Sequence, residues 1–391
     1  MPPVHPTRRS LVLGGLAAAA AAVAPAPPAY ASASGLVPVR LAGPTGPLPV
    51  GAVELHLVDR SRTDPWAGGP RELMATVAYP AAEVRDRPLL PWLSPGAERA
   101  LKARYGGVLD GYALPLTHSA DRAPARPGRR PVLLYSPGAG SDRTFNTLVV
   151  EELASRGYVV VTVDHPHDSG EVEFPDGRVV RSVGEDSEEE VVAAVAVRAA
   201  DLRFVLDHLT VLARGGAPGA GPGRLPRGLR GALDLTRVGA FGHSRGGAAA
   251  AALMDLDDRV RAGADLDGTV FGPVVGRGLD RPFLLMDTAG HDGLVKDPHW
   301  PEFWRNLRGW RRCLRLADAG HLSFTDIVAL APQLPPGLPL DVGTVPADRA
   351  VAAVRATVRA FFDLWLRGRP DTGRLLRGAS ARYPEIGYIA G

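Results

Sequence analysis

The sequence predicts an α/β fold: a mostly parallel central sheet with helices on both faces. Three observations predict it. Short runs that are apolar on both faces recur at 132–135, 158–163, 238–241, 260–266, 283–286 and 313–316. Helical patterns separate most of them, at 144–156, 188–212, 248–256 and 300–310. A strand apolar on both sides has to be covered on both sides, and crossover helices between parallel strands provide that cover.

The elements follow in chain order. Residues 1–9 are basic, 11–23 form an apolar run, and Ala29-Tyr30-Ala31 offers the small-x-small pattern of a cleavage site. Residues 1–31 therefore read as an export signal. Thr7-Arg8-Arg9-Ser10-Leu11 resembles the twin-arginine type, with an ordinary secretory signal as the alternative. The apolar run is shorter than the ~20 residues a membrane span needs, and no later segment reaches that length. Residues 32–391 are expected to form one domain, soluble after export. Within it, 32–49 is a loose leading segment rich in Pro, Gly, Ala and Ser. Residues 53–59 and 72–79 alternate as an antiparallel strand pair does. Residues 80–130 are irregular and proline-rich, with a helical stretch near 97–105; 213–231 reads as a surface loop; 347–366 closes the chain as an amphipathic helix.

Composition excludes several classes of function. The 391 residues include 45 Lys+Arg and 42 Asp+Glu, a net charge of +3 with both signs dispersed. No basic cluster interleaved with aromatics marks a nucleic-acid surface. Cys313 is the only cysteine, so no intramolecular disulfide forms, and its place in the alternation Cys313-Leu314-Arg315-Leu316 marks a strand residue rather than a nucleophile.

The sharpest chemical signal is Gly242-His243-Ser244-Arg245-Gly246-Gly247, between the strand pattern 238–241 and an alanine-rich helix. A tight strand–turn–helix elbow exposes the Ser244 hydroxyl, and Gly242 and Gly246 supply the room that crowded backbones need. The amide of Arg245, in the first helical turn, can donate to a developing oxyanion. Tyr135-Ser136-Pro137-Gly138-Ala139-Gly140 ends an earlier strand, and Ala139 is the candidate second donor; a plain Pro-Gly turn is the alternative.

A serine hydroxyl needs a base, and the base needs an orienting acid. In folds with this elbow the acid and then the histidine follow the serine. His291, His299 and His321 follow Ser244, and His321, just after the last sheet-like strand, is the candidate base. Asp267 and Asp292 both end strand-like stretches at the carboxyl edge of the sheet, and position does not separate them.

Tyr135–Gly140, Gly242–Gly247, Asp265-Leu266-Asp267-Gly268 and Gly320-His321-Leu322-Ser323-Phe324-Thr325-Asp326 together resemble the plasma-type platelet-activating-factor acetylhydrolases and their secreted bacterial relatives, within the α/β-hydrolase class. The resemblance runs from about residue 73 to Pro384-Glu385-Ile386. It implies a Ser244–Asp267–His321 triad, favouring Asp267 over Asp292, and hydrolysis of short acyl groups at the sn-2 position of phospholipids. It implies no cofactor and no calcium. Pro137-Gly138 stands where that family commonly has His-Gly, a change that leaves the backbone donor in place. A cutinase-like enzyme for longer or polymeric esters, and an exported binding protein without activity, are the competing functions.

Asp164-His165-Pro166-His167-Asp168 gathers potential metal ligands, but neighbours in extended chain point to opposite sides. It reads as a loop at the pocket rim, with no metal site. The acids at 186–190 read as a solvated first helical turn, where negative charge suits the helix dipole.

Overall fold

Alternating apolar residues build the first strand pair, Val50–Thr63 (β1) and Pro70–Pro80 (β2), which run antiparallel with Val53 opposite Val77 and Leu57 opposite Leu73. The computed structural model describes residues 35–184, 187–216 and 225–391. The predicted export signal at 1–31 and the centre of the 213–231 segment lie outside them. Leu36–Gly391 forms one compact unit.

Nine further strands complete the sheet: Leu89–Pro91 (β3), Leu116–Asp121 (β4), Arg130–Ser136 (β5), Val159–Val163 (β6), Leu233–His243 (β7), Val260–Leu266 (β8), Phe283–Asp287 (β9), Arg311–Leu316 (β10) and Ile386–Ala390 (β11). Their order is β11-β10-β9-β8-β7-β5-β6-β2-β1-β4-β3. The central run from β6 to β10 is parallel throughout, as the doubly apolar runs require.

Strand periodicity sends alternate residues to two cores. Leu133, Phe241, Ala264 and Met286 face one cluster with Leu148, Leu153 and Phe361. Val132, Leu134, Ala240 and Leu285 face the other, with Leu202, Val205, Ala250 and Phe303. The covering helices are Thr147–Ser155 (α2) and Ala347–Arg367 (α6) on the first face, and Glu188–Ala213 (α3), Arg245–Leu256 (α4) and Trp300–Asn306 (α5) on the second; Pro95–Arg104 (α1) lies earlier in the chain. The α/β-hydrolase architecture expected from the sequence is the one observed.

Three expectations are corrected. The helix at 300–310 stops at Asn306, because Leu307 is extended and a side chain at Gly309 would collide with the Asp280 carbonyl, so the chain turns into β10. The irregular stretch 80–130 contains β3 and β4 at the sheet edge. The helix at 347–366 does not close the chain: β11 follows it and pairs antiparallel with β10.

From β5 the chain goes first to β6 on one side and later to β7 on the other. The carboxyl ends of β5 and β7 therefore open a crevice at a topological switch point, the place where such sheets bind ligands. The loop that follows β10 is anchored beside it. Asp326 accepts hydrogen bonds from the first amides of α2, Thr147 at 3.0 Å and Leu148 at 2.9 Å, and from the Trp92 indole at 2.9 Å.

Candidate active site

Ser244 stands between β7 and α4 with φ 54° and ψ −128°, a backbone region that L-residues rarely occupy. The turn is held by the Ser244 amide donating to the Leu266 carbonyl at 2.9 Å. Glycine is obligatory on both sides: a side chain at Gly242 would strike the backbone of Gly246, and one at Gly246 would strike the Ser136 carbonyl. Strain of this kind persists only where the surroundings over-determine it, and it marks functional turns.

Asp267, just past β8, also adopts positive φ, 60°. Its amide donates to the Met286 carbonyl at 2.8 Å, and its Oδ1 accepts from the Thr288 amide at 3.0 Å. Oδ2 is thereby left to His321, whose Nδ1 lies 2.7 Å away. Burial alone would push this carboxyl up, but hydrogen bonds from His291 and His321 outweigh it and hold Asp267 well below the usual carboxylate range. Asp292 goes elsewhere: it pairs with Arg315 at 2.6 Å and Lys296 at 3.7 Å. The structure thus brings Asp267 and His321 together and leaves Asp292 out.

His321 opens a short 3-10 turn, and its side chain is 39% exposed. Its amide donates to Asp341 at 2.9 Å. His243, the neighbour of Ser244, donates from Nε2 to the His321 carbonyl at 2.9 Å, and the two rings lie 4.5 Å apart. Burial, reinforced by His321, pulls the His243 pKa down to about 3, so its ring is neutral. Ser244, Asp267, His321, Ala139, Arg245 and Phe271 share one cavity of about 460 Å³. A larger cavity of about 950 Å³ is lined by Arg40, Arg156, Arg355 and Arg359 among others, and it contains none of the triad residues.

On the opposite side of the cavity, Gly138 packs so close that a Cβ there would meet that of Ser244 at 3.3 Å. The next residue is Ala139, whose amide has no protein acceptor among the described residues. Arg245 begins α4, so its amide belongs to the first helical turn.

Two side chains near the triad make contacts that the sequence did not reveal. His243 lies inside the serine motif, and its place directly before Ser244 in the chain was a usable signal. His291 lies on the other oxygen of Asp267, with Nδ1 3.3 Å from Oδ1, while its Nε2 sits 2.9 Å from Asp297. Burial opposes a charged ring, but Asp267 and Asp297 outweigh it and raise His291 to about 10. Asp267, Asp287 and His291 place potential ligand atoms within 4.8 Å of one another. His321 on Asp267, Arg315 on Asp287 and Asp297 on His291 already engage that set, which suits a protonated imidazole better than a metal ion. Cys313 is buried in β10, and burial pushes its thiol up.

The 164–168 segment is not a pocket rim. Asp164, His165 and Asp168 are fully buried, each with a separate partner: Arg143 for Asp164, Asp201 for His165, Arg198 for Asp168. Paired charges tolerate burial that lone ones do not. The acidic first turn of α3 is exposed at Glu188, Glu189 and Glu190, and Ser187 caps it in a capping box with Glu190, while Asp186 lies outside the described residues.

Residues 103–216 match the family described as platelet-activating factor acetylhydrolase, isoform II. A protein of Arthroderma benhamiae named "Probable 1-alkyl-2-acetylglycerophosphocholine esterase" is 30% identical over 381 residues, covering 88% of this chain and 92% of its own. The platelet-activating factor acetylhydrolase of Cavia porcellus is 25% identical over 221 residues, 52% of this chain and 50% of its own. A solved ferulic acid esterase from Streptomyces cinnamoneus superposes with a TM-score of 0.76 at 38% identity, over 91% of this chain and 100% of that one. Fold and relatives together define an ester hydrolase of the α/β-hydrolase class. Within that class, the chain belongs to the platelet-activating-factor acetylhydrolase family.

Proposed function

We propose that this protein is an exported serine esterase that removes short acyl groups through an acyl-enzyme on Ser244, with a 2-acetyl phospholipid as the favoured substrate. The observation that carries the reading is the 2.7 Å hydrogen bond between Asp267 and His321 in the cavity that also holds the strained Ser244. His321 takes the Ser244 proton as the hydroxyl attacks the ester carbonyl, and Asp267 stabilises the imidazolium that forms. The amides of Ala139 and Arg245 receive the negative charge on the carbonyl oxygen. His321 returns its proton to the departing alcohol, then activates water to release the acid. No cofactor or metal enters this cycle.

The acetyl choice rests on the family and on the name of the Arthroderma benhamiae relative. Export rests on residues 1–31, with Arg8-Arg9 favouring the twin-arginine route. No helix among the described residues is long and apolar enough to cross a membrane. A second reading has its own support: the structural neighbour is a ferulic acid esterase, and Phe271 in the cavity offers an aromatic surface to an aryl acid.

The test is a substrate panel run on the chain from Ser32 with calcium chelated: p-nitrophenyl esters from acetyl to palmitoyl, a 2-acetyl phospholipid and methyl ferulate. Highest kcat/KM on the acetyl esters, with a Ser244→Ala loss of at least ~10³-fold, is the expected result. A methyl ferulate optimum moves the assignment to aryl esters, and a long-chain optimum to a cutinase-like enzyme. Turnover that survives Ser244→Ala overturns the mechanism.

A further inference from the structure

The buried segment after β6 plays no part in the cycle above, yet its last residue reaches both sides of the cavity. Asp168 is fully buried. Its Oδ2 accepts from Arg198 Nε, its Oδ1 accepts from Arg245 Nη1 at 2.7 Å, and its carbonyl accepts from the Gly140 amide at 2.8 Å. Arg198, on α3 and also fully buried, continues the connection: it donates to the Pro137 carbonyl, to the Gly138 carbonyl at 3.2 Å and to Ser136 Oγ at 3.2 Å. Ala139 is thus bracketed, its two predecessors held by Arg198 and its successor by Asp168.

We propose that Asp168 and Arg198 are positioning residues that lock the two donors of the oxyanion hole, Ala139 and Arg245, into one rigid unit. The inference rests on the assignment of those donors above. An oxyanion hole works by presenting dipoles that need no reorganisation as charge develops, so a small displacement of either amide lowers the rate. A surface ion pair could not supply that rigidity. A buried guanidinium spread over several acceptors does, because its planar donors fix direction as well as distance. The pair is braced from behind: Ser136 Oγ lies 2.9 Å from His165 Nε2, and His165 Nδ1 lies 3.0 Å from Asp201, one helical turn beyond Arg198. Burial pulls His165 down to about 4, leaving a neutral ring that donates to Asp201 and accepts from Ser136.

The experiment compares Asp168→Asn and Arg245→Gln with the wild type and with Ser244→Ala, on p-nitrophenyl acetate and with a trifluoromethyl ketone that forms a tetrahedral adduct. Asp168→Asn is expected to lower kcat roughly 30- to 100-fold with KM within about threefold, and to weaken the ketone in proportion. Arg245→Gln removes the outer arm to Asp168 and leaves the Asp168–Arg198 pair, so a loss of about 3- to 10-fold in kcat is expected. Asp168→Glu, which restores the charge, is expected to recover part of the loss. Wild-type kcat in Asp168→Asn, or a loss without weaker ketone binding, overturns the proposal. If Asp168→Asn fails to fold, wild-type kcat in Arg245→Gln overturns it. Turnover in Ser244→Ala would instead sink the serine mechanism, a separate outcome.

Discussion

The two walls of the cavity are built from different materials. The His321 wall is a loop after β10, with a side chain 39% exposed and a backbone held by Asp341 and His243. The Ala139 wall stands on Asp168 and Arg198, both fully buried. The difference follows from what each wall has to do. A general base gains and loses a proton in each half-reaction and is served by contact with water. Oxyanion donors change nothing in the cycle and are served by immobility.

The contrast can be attacked from either side. Asp267→Asn is the largest blow to the base wall: with Nδ1 of His321 no longer facing a carboxylate, kcat is expected to fall about 10³- to 10⁴-fold on p-nitrophenyl acetate. Asp292→Asn, on Arg315, should leave kcat within about twofold in the same assay; equal losses for both would refute the assignment of the acid. For the rigid wall, Gly246→Ala forces a methyl against the Ser136 carbonyl, and overpacking of that kind predicts a melting temperature lower by roughly 5–10 °C in calorimetry. An unchanged melting temperature would show that this wall can yield.

The smallest effect concerns His291, raised from 6.5 to about 10 by Asp267 and Asp297 against the opposing effect of burial. A group whose folded-state pKa is raised contributes stability that is fully present below pH 6.5 and is lost as pH rises through about 10. The wild type is therefore expected to lose melting temperature between pH 7 and pH 10, and His291→Gln to flatten that slope. A slope that persists in the variant assigns the effect to other groups.

The parallel core was legible because its central strands β5 and β6 are apolar on both faces, a pattern no half-exposed strand produces. Ser244 was legible because its requirement is local: two glycines and a strand–turn–helix change of period within ten residues. The acid was not legible from position, since Asp267 and Asp292 both follow strands, and only the 2.7 Å contact of Asp267 with His321 and the pairing of Asp292 with Arg315 separate them in space. The strands β3 and β4 escaped because they are three and six residues long in a proline-rich stretch. Asp168 and Arg198 escaped for another reason. They lie 30 positions apart, on a loop and a helix, and no sequence period relates them.

Cys313 has a practical consequence. It is the chain's one thiol, fully buried in β10 and pushed away from ionisation. Thiolate, not thiol, reacts with maleimides, so the native chain should be silent to them. A cysteine introduced on the His321 loop and another on α3 can then carry a fluorescent pair without first removing Cys313. Distances between the two walls become measurable in an otherwise unaltered enzyme.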